Sequence, residues 1–264
     1  MEFIYHGRKI KLEGFSDNDH IYKMISANEA FYEIDLLEYI KYITGNDKGV
    51  CIDVGANIGN HSVFFGTFVG DKVISFEPNP AVLPTLKKNL SNNLKNYTLY
   101  ECGLGETEAY GKSVMPDSSS TNVGMAQVAV LDEAGDDTFM VRTLDNVFDE
   151  WRNENNENIK LIKIDVEGME LDVLKGASKI LEEQRPHFFV EALTSVELKK
   201  LEDYFSAIGY EWLTHWAYTP VYHFMYKPSI KLKAISKLYK FKYNIKLSYW
   251  GLHRKIEKVR RELN

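Results

Sequence analysis

Asp53 stands inside an apolar run, Val50-Cys51-Ile52-Asp53-Val54, and the turn Gly55-Ala56-Asn57-Ile58-Gly59 follows at once. A second apolar run, Val73 to Phe76, delivers Glu77 24 residues later, ahead of Pro78-Asn79-Pro80. A carboxylate at that point of a strand-turn-helix-strand unit accepts the two hydroxyls of a ribose. The spacing narrows which nucleotide is meant. A pyrophosphate needs Gly-x-Gly-x-x-Gly in the first turn so that the backbone can approach it closely, and only Gly55 and Gly59 stand here. Asp53 suits a ligand carrying positive charge better than a pyrophosphate. The methionine end of S-adenosylmethionine, with its ammonium and sulfonium, is such a ligand. Taken singly, each glycine could be a plain turn former and each acid a helix cap or a solvated strand end. The joint order carries the reading.

A second constellation is Ile162-Lys163-Ile164-Asp165-Val166-Glu167-Gly168-Met169-Glu170. An apolar strand brings Asp165 and Glu167 to its carboxyl end, and ligands of open parallel sheets bind outside that edge. Glu191 ends another apolar run, His187 to Val190, on the same expected edge.

The elements that must position these groups follow from the periodicity. Apolar runs mark strands near 50–54, 72–77, 97–101, 160–164, 186–191, 210–214 and 221–226. Helical spacing marks helices near 59–69, 80–94, 170–182 and 195–207. Regular alternation of the two implies a mostly parallel sheet covered on both faces. The short link Thr214–Pro220 cannot hold a crossover helix, so the last two strands must pair antiparallel. Residues 1–12 suggest a strand or hairpin, and Phe31, Ile34, Leu37, Ile40 and Ile43 a helix. Together, residues 1–48 form an N-terminal cap, 49–227 the main domain, and 228–264 a separate tail. The stretch 109–143 breaks the rhythm and reads as a hairpin inserted beside the open end of the sheet.

The chain resembles the FkbM family of S-adenosylmethionine-dependent methyltransferases. The matching pieces are Asp-Val-Gly-Ala-Asn-Ile-Gly (53–59), Phe-Glu-Pro-Asn-Pro (76–80), Thr-Leu-Asp (143–145), Lys-Ile-Asp-Val-Glu-Gly-Met-Glu (163–170), Leu-Lys-Gly-Ala (174–177) and Arg-Pro-His-Phe-Phe-Val-Glu (185–191). The resemblance implies an α/β, Rossmann-like class I methyltransferase fold, with a seven-stranded, mostly parallel sheet and an antiparallel last strand. It also implies O-methyl transfer, commonly to sugars or glycosylated products. Carried onto this sequence, Asp53, Gly55, Ala56, Asn57, Gly59 and His61 surround the methionine part, and Glu77 with Pro78 holds the ribose. Asn79 and Cys102-Gly103-Leu104 flank the adenine, and Asp165 faces the cofactor from the next strand.

Methyl transfer is an in-line displacement, so positioning dominates, and it supplies roughly 7–11 kcal/mol in favourable systems. A sugar hydroxyl is a weak nucleophile, and a general base adds about 10²–10⁴-fold. The candidates are Asp165, Glu167, Glu191 and His215. Glu167 could instead be a charge at a helix N-terminus, and His215 a surface or packing residue. Asp165 and Glu191 could together hold a divalent cation on the sugar diol. The loop Ser118–Gly124 is expected over the cleft, where Asn122 and the hydroxyls could meet the acceptor, or as a solvated turn. Trp212, Trp216, Tyr218, Tyr222 and His223 could stack on sugar rings or simply pack.

The 264 residues, 44% of them hydrophobic, suffice for one domain with appendages. No run is long enough to span a membrane, no secretory signal opens the sequence, and two cysteines without ligand spacing suggest a reducing compartment. The cytoplasm is the expected location. From Lys227 onward there are 12 Lys+Arg against Glu257 and Glu262, a balance of +10 that leaves −16 on residues 1–226. That acidic body argues against nucleic acid as a partner. The tail interleaves Lys231, Lys233, Lys237, Lys240, Lys242 and Lys246 with apolar and aromatic residues, and Leu252, Ile256, Val259 and Leu263 follow at four-three-four spacing. Such a helix can lie on an anionic membrane at the inner face, dock a partner or second subunit, or fold back with its lysines in water. Two other functions fit parts of the pattern. A nicotinamide-dependent oxidoreductase would use Glu77 but lacks the glycine fingerprint. A non-catalytic scaffold would keep the cofactor fold and dock a glycan-assembly complex through the tail.

Overall fold

The computed structural model describes residues 1–16, 18–114, 127–152, 158–216 and 220–262, with backbone only at 127, 152 and 249–262. The expected loop Ser118–Gly124, Tyr218 and the side chains of Leu252, Ile256, Val259 and Leu263 lie outside what is described. The chain opens with a hairpin, β1 (Glu2–Tyr5) and β2 (Arg8–Lys11), followed by α1 (His20–Asn28) and α2 (Ile34–Ile43). The alternating unit then runs β3 (Val50–Val54), α3 (Asn60–Phe68), β4 (Lys72–Phe76), α4 (Leu83–Asn93) and β5 (Tyr97–Tyr100). After β6 (Gly103–Leu104), β7 (Ala109–Val114), β8 (Gln127–Leu131) and β9 (Phe139–Arg142), α5 (Leu144–Arg152) returns the chain to β10 (Ile159–Ile164). The remainder is α6 (Glu170–Lys175), α7 (Ser178–Glu183), β11 (His187–Glu191), α8 (Ser195–Ala207), β12 (Tyr210–Trp216), β13 (Val221–Tyr226) and α9 (Ile230–Glu262).

Seven strands form the main sheet in the order β12-β13-β11-β10-β3-β4-β5. All neighbours are parallel except those of β13, which runs antiparallel to both β11 and β12. The Rossmann-like α/β sheet with one reversed last strand is therefore present. Its inner strands β3, β4 and β11 read as nearly continuous apolar runs because both faces are covered. One face packs the cap, α2, α3, α4 and the start of α9 around Tyr39, Phe64, Phe65 and Trp216. The other packs α5 to α8 around Phe148, Ile162, Leu174 and Phe205.

Two expectations are corrected in detail, and for two aromatic-cluster residues the packing alternative holds. The single helix near 170–182 is two, broken where the Gly176 Cα lies so close to the Gly105 carbonyl that a Cβ would stand 2.0 Å from that oxygen. The inserted hairpin is part of a four-stranded sheet, β6-β9-β7-β8, because β9 adds to β7 and β6 adds to β9. Trp216 and His223 are buried packing residues, stacked on Tyr39 and Phe189 respectively. The cap is stitched to the sheet layer by asparagines. Asn89 and Asn93 of α4 each bond both the N–H and the C=O of a cap residue, Glu13 and Lys11, and Asn60 does the same to Tyr32.

A buried polar chain ties α9 to this frame. Tyr39 Oη lies 2.7 Å from His223 Nδ1 and 2.8 Å from Ser236 Oγ, and His223 Nε2 lies 2.9 Å from His187 Nδ1. Burial holds both imidazoles below the usual histidine range, His187 down to about 4. The unfolded chain therefore binds more protons between about pH 4 and 6.5, so this contribution to stability is complete above pH 6.5 and is lost as pH falls toward 4. Urea midpoints measured across that window should fall with pH, and the fall should be shallower in a His187→Gln, His223→Asn double variant. Equal slopes would contradict the role given to the pair.

Candidate active site

A cavity of about 430 Å³ opens at the carboxyl edge of β3, β4, β10 and β11, and its lining draws on every constellation named from the sequence. The first turn supplies Gly55, Ala56, Asn57 and His61, the second Glu77, Pro78 and Asn79, and the far wall Asp165, Glu167 and Glu191. Ser113 and Val128 reach it from the inserted sheet, and Phe15, His20, Tyr32 and Glu33 close it from the cap. The volume is that of a small-molecule site.

The first turn is fixed by backbone contact. The Gly55 and Ala56 N–H groups both donate to the Phe76 carbonyl, 3.1 and 3.0 Å away. Gly55 has φ +79°, and a Cβ there would stand 1.9 Å from the Asp165 carbonyl oxygen. Only glycine lets the turn after β3 and the loop after β10 meet this closely. Glu77 crosses to the same turn, its carboxylate accepting the Asn57 N–H at 2.8 Å and the Asn79 N–H at 2.9 Å. Burial pushes this carboxyl up to about 7 although both backbone bonds favour its charge. Each oxygen takes one N–H, which leaves acceptor capacity for two more donors.

The far wall is organised by Lys163, which is 1% exposed. Its Nζ donates to Asp165 at 2.9 Å and lies 3.9 Å from Asp53. Burial opposes its charge, but the two carboxylates hold the ammonium above the ordinary lysine range. Lys163 in turn keeps the Asp165 carboxyl low against the effect of burial. Glu191 is pushed far up, first by burial and then by the Asp165 charge beside it. Of this pair, Asp165 is ionised and Glu191 holds the proton. Glu167 is raised to about 7 by burial and by the charges of Asp165 and Glu170. One oxygen from each of Asp165, Glu167 and Glu191 lies within 4.8 Å of the others.

Glu170, in the first turn of α6, ties down the loop that carries Glu167. Its Oε1 accepts the Val166 and Gly168 N–H groups at 3.1 Å each. Glu167, in a left-handed turn at φ +56°, is left facing the cavity.

Besides the buried Cys102, five expected site residues do not line the cavity. Asp53 is fully buried, and its carboxylate accepts the Ser62 hydroxyl at 2.5 Å. It is the register partner of Lys163, so it meets the next strand's cation rather than a ligand. Gly59 caps α3 and turns toward Leu86. Gly103 and Leu104 lie in β6, buried beneath Phe139 and in the second core, because the chain enters the small sheet at once after β5. His215 sits on the edge strand β12 against Trp212 and Tyr222, and no catalytic geometry surrounds it.

Sequence reasoning passed over Lys163, Tyr32, Glu33 and Asn60. Lys163 had a signal, a lysine inside the strand Ile-Lys-Leu-Ile-Lys-Ile, where burial demands an acid partner. The cap residues had none, since their approach to α3 is long-range. Glu33 Oε2 lies 3.2 Å from His61 Nε2, out of line for a hydrogen bond. Glu33 Oε1, Asn57 Oδ1 and that His61 nitrogen are buried without partners. Two unpaired acceptors and a ribose-ready carboxylate in one cavity fit a nucleoside that carries an ammonium group.

The family model for the methyltransferase FkbM domain matches residues 53–217, from Asp53 to just past His215. Methyltransferase 1 of Beauveria bassiana is 25% identical over 148 residues, covering 49% of this chain and 59% of its own length. Methyltransferase sdnD of Sordaria araneosa is 27% identical over 155 residues, covering 48% of this chain and 60% of its own length. The chain thus spans about three fifths of these relatives. The solved methyltransferase FkbM of Methylobacillus flagellatus KT superposes on 75% of this chain and 49% of its own, with a TM-score of 0.52 and 21% identity.

Proposed function

The chain belongs to the FkbM methyltransferase family and has its class I methyltransferase fold, and on that premise we propose that it is an S-adenosylmethionine-dependent O-methyltransferase acting on a sugar hydroxyl of a polysaccharide, glycolipid or glycosylated metabolite. The observation that carries this reading is one cavity walled on one side by Glu77 and on the other by Asp165, Glu167 and Glu191. When bound, S-adenosylmethionine supplies a methyl group activated by its sulfonium. Glu77 would accept the two ribose hydroxyls, Asn57 Oδ1 and Glu33 Oε1 the ammonium, and Pro78 and Asn79 would border the adenine.

The three far carboxyls divide the remaining work. Asp165, held ionised by Lys163, is too weak a base to take a hydroxyl proton but accepts a hydrogen bond well. Glu191, protonated, donates its one O–H to the Asp165 carboxylate and so holds that wall in place. Glu167, poised near neutrality, is the group matched to remove the acceptor's proton. A second reading rests on the close approach of the three carboxylates, which could hold a divalent cation on the sugar diol. In that case the cation would lower the pKa of the hydroxyl.

Neutral hydroxyl acceptors suit so acidic a wall better than phosphates do, and nucleic acid is a poor match for a body of charge −16. The buried free thiols of Cys51 and Cys102 support a cytoplasmic setting, and among the described residues no helix is long and apolar enough to cross a membrane. Family membership sets aside the oxidoreductase alternative, and the open acids of the far wall argue against a pure scaffold.

Screening saccharides and lipid-linked glycans for transfer of labelled methyl, with and without chelator, tests this reading. Label in an alkali-stable ether is expected. Label only in a hydrolysable ester, or on nitrogen, would contradict it.

Glu77 also makes affinity depend on pH. Ribose hydroxyls donate to the ionised carboxylate, so binding should tighten as pH rises through about 7 and should release protons below it. Calorimetry at pH 6 and 8 in buffers of different ionisation enthalpy checks this. A Glu77→Gln variant should lose the dependence, and an unchanged slope would assign it elsewhere.

A further inference from the structure

α9 has two opposed apolar faces, and the domain covers one of them. On the inner face Leu232, Ile235, Tyr239 and Tyr243 pack into the first core, and Ser236 is buried. Lys240 Nζ is held by the His215 carbonyl at 2.8 Å and Lys246 Nζ by Asp35 at 2.6 Å. On the outer face Ala234, Leu238, Phe241 and Ile245 recur at four-three-four spacing. Leu238 is 52% exposed, Phe241 62% and Ile245 55%. By helical geometry Lys231 and Lys242 border this stripe on one side and Lys237 on the other. All three are exposed, and none has an acidic partner among the described residues. In sequence the same spacing resumes at Leu252, Ile256, Val259 and Leu263.

We propose that the outer face of α9 docks the protein on an anionic lipid bilayer. The apolar stripe is the part that enters the headgroup boundary, and the lysines at its margins reach the lipid phosphates, which is how an interfacial helix divides its surface. Charge selects this occupant. A second copy of the chain would set these lysines against their own equivalents, whereas an anionic surface complements the tail's +10 and repels the body's −16. That repulsion also fixes which side faces the membrane.

The direction of the helix gives the docking a consequence. α9 passes Glu211 at Lys233, Trp216 at Tyr243 and Asp35 at Lys246, and so climbs toward the edge of the sheet where the cavity opens. Asp35 is two residues from the cavity-lining Glu33. The helix then continues to Glu262 at about 1.5 Å per residue. A bilayer bound along it lies beside the cavity mouth.

The test is co-sedimentation of the full chain with vesicles of phosphatidylcholine, alone or containing about one third phosphatidylglycerol, at low and high salt, in parallel with sedimentation velocity. Binding to the anionic vesicles alone, weakened by salt, is expected. Replacing Lys231, Lys237 and Lys242 with Gln should lower the partition on the order of a hundredfold, at about tenfold per 1.4 kcal/mol. A Phe241→Ser, Ile245→Ser variant should lower it on the order of tenfold or more. Neither touches the cofactor cavity, so S-adenosylmethionine affinity is the control for folding, and failure of the docking is distinguishable from failure of the methyl-transfer reading. Absence of binding to anionic vesicles, equal binding by both variants, or a stripe-dependent dimer in place of vesicle binding would each overturn the proposal.

Discussion

A Lys163→Met substitution is expected to destabilise the fold by about 3–5 kcal/mol, the range for removing one partner of a buried ion pair. The ammonium is 1% exposed and stands between Asp53, 0% exposed, and Asp165. Methionine matches the volume of the lysine stem, so little of the loss comes from packing. It comes from Asp53, left in the interior with an oxygen that already lacks a hydrogen bond, and from Asp165, left on the cavity wall without its cation. Asp165, no longer held low by Lys163, takes up a proton more readily, so the variant should regain stability as pH falls, where the wild type does not. Urea unfolding at pH 7 and 5 measures this. If Lys163→Met proves too unstable to purify, the Asp53→Asn, Lys163→Met double variant should restore part of the loss. A Lys163→Met protein within 1 kcal/mol of wild type at pH 7 would show that the lysine is not the organiser of the far wall.

Glu167→Gln should lower kcat by about 10²–10⁴-fold, the usual contribution of a general base. Under saturating S-adenosylmethionine, which removes the pH dependence that Glu77 places on binding, wild-type kcat should rise with pH through about 7. The sign follows from the role: the base must be unprotonated to accept a proton, and burial with the neighbouring charges holds Glu167 to about 7. The Gln variant should lose that limb while its cofactor affinity stays near wild type. Asp165→Asn offers the contrast. It removes an acceptor and the partner of Lys163 together, so it should affect stability as well as turnover. A Glu167→Gln enzyme with wild-type kcat and an intact limb would move the base to another residue.

The inner strands β3, β4 and β11 were readable because burial on both faces makes them nearly continuous apolar runs. Glu77, Asp165, Glu167 and Glu191 were readable because an acid at the end of such a run has a defined place at the sheet edge. What escaped depends on contacts between residues distant in sequence. Asp53 looked like a ligand contact until the register of β3 against β10 set it opposite Lys163. Gly103 and Leu104 follow the third strand in sequence, but the chain leaves the main sheet at Tyr100 and pairs with β9 instead. Two short helices were passed over for different reasons. α5 carries Leu144, Val147, Phe148 and Trp151 at helical spacing, a signal hidden between the insertion and a polar run. α1 buries only Ile25 and has little pattern to show. The cap's share of the cavity, Tyr32 and Glu33, rests on the Asn60 clamp and has no local signature.

The central claim is that this cavity holds S-adenosylmethionine through Glu77. Calorimetric titration of the full chain with S-adenosylmethionine at pH 8, with Glu77→Ala and Glu167→Gln proteins alongside, tests it most directly. One site is expected, weakened in Glu77→Ala by on the order of 10–100-fold, as for hydrogen bonds to a charged group worth about 1.5–3 kcal/mol, and nearly unchanged in Glu167→Gln. No binding by the wild type, or equal binding by Glu77→Ala, would contradict the account.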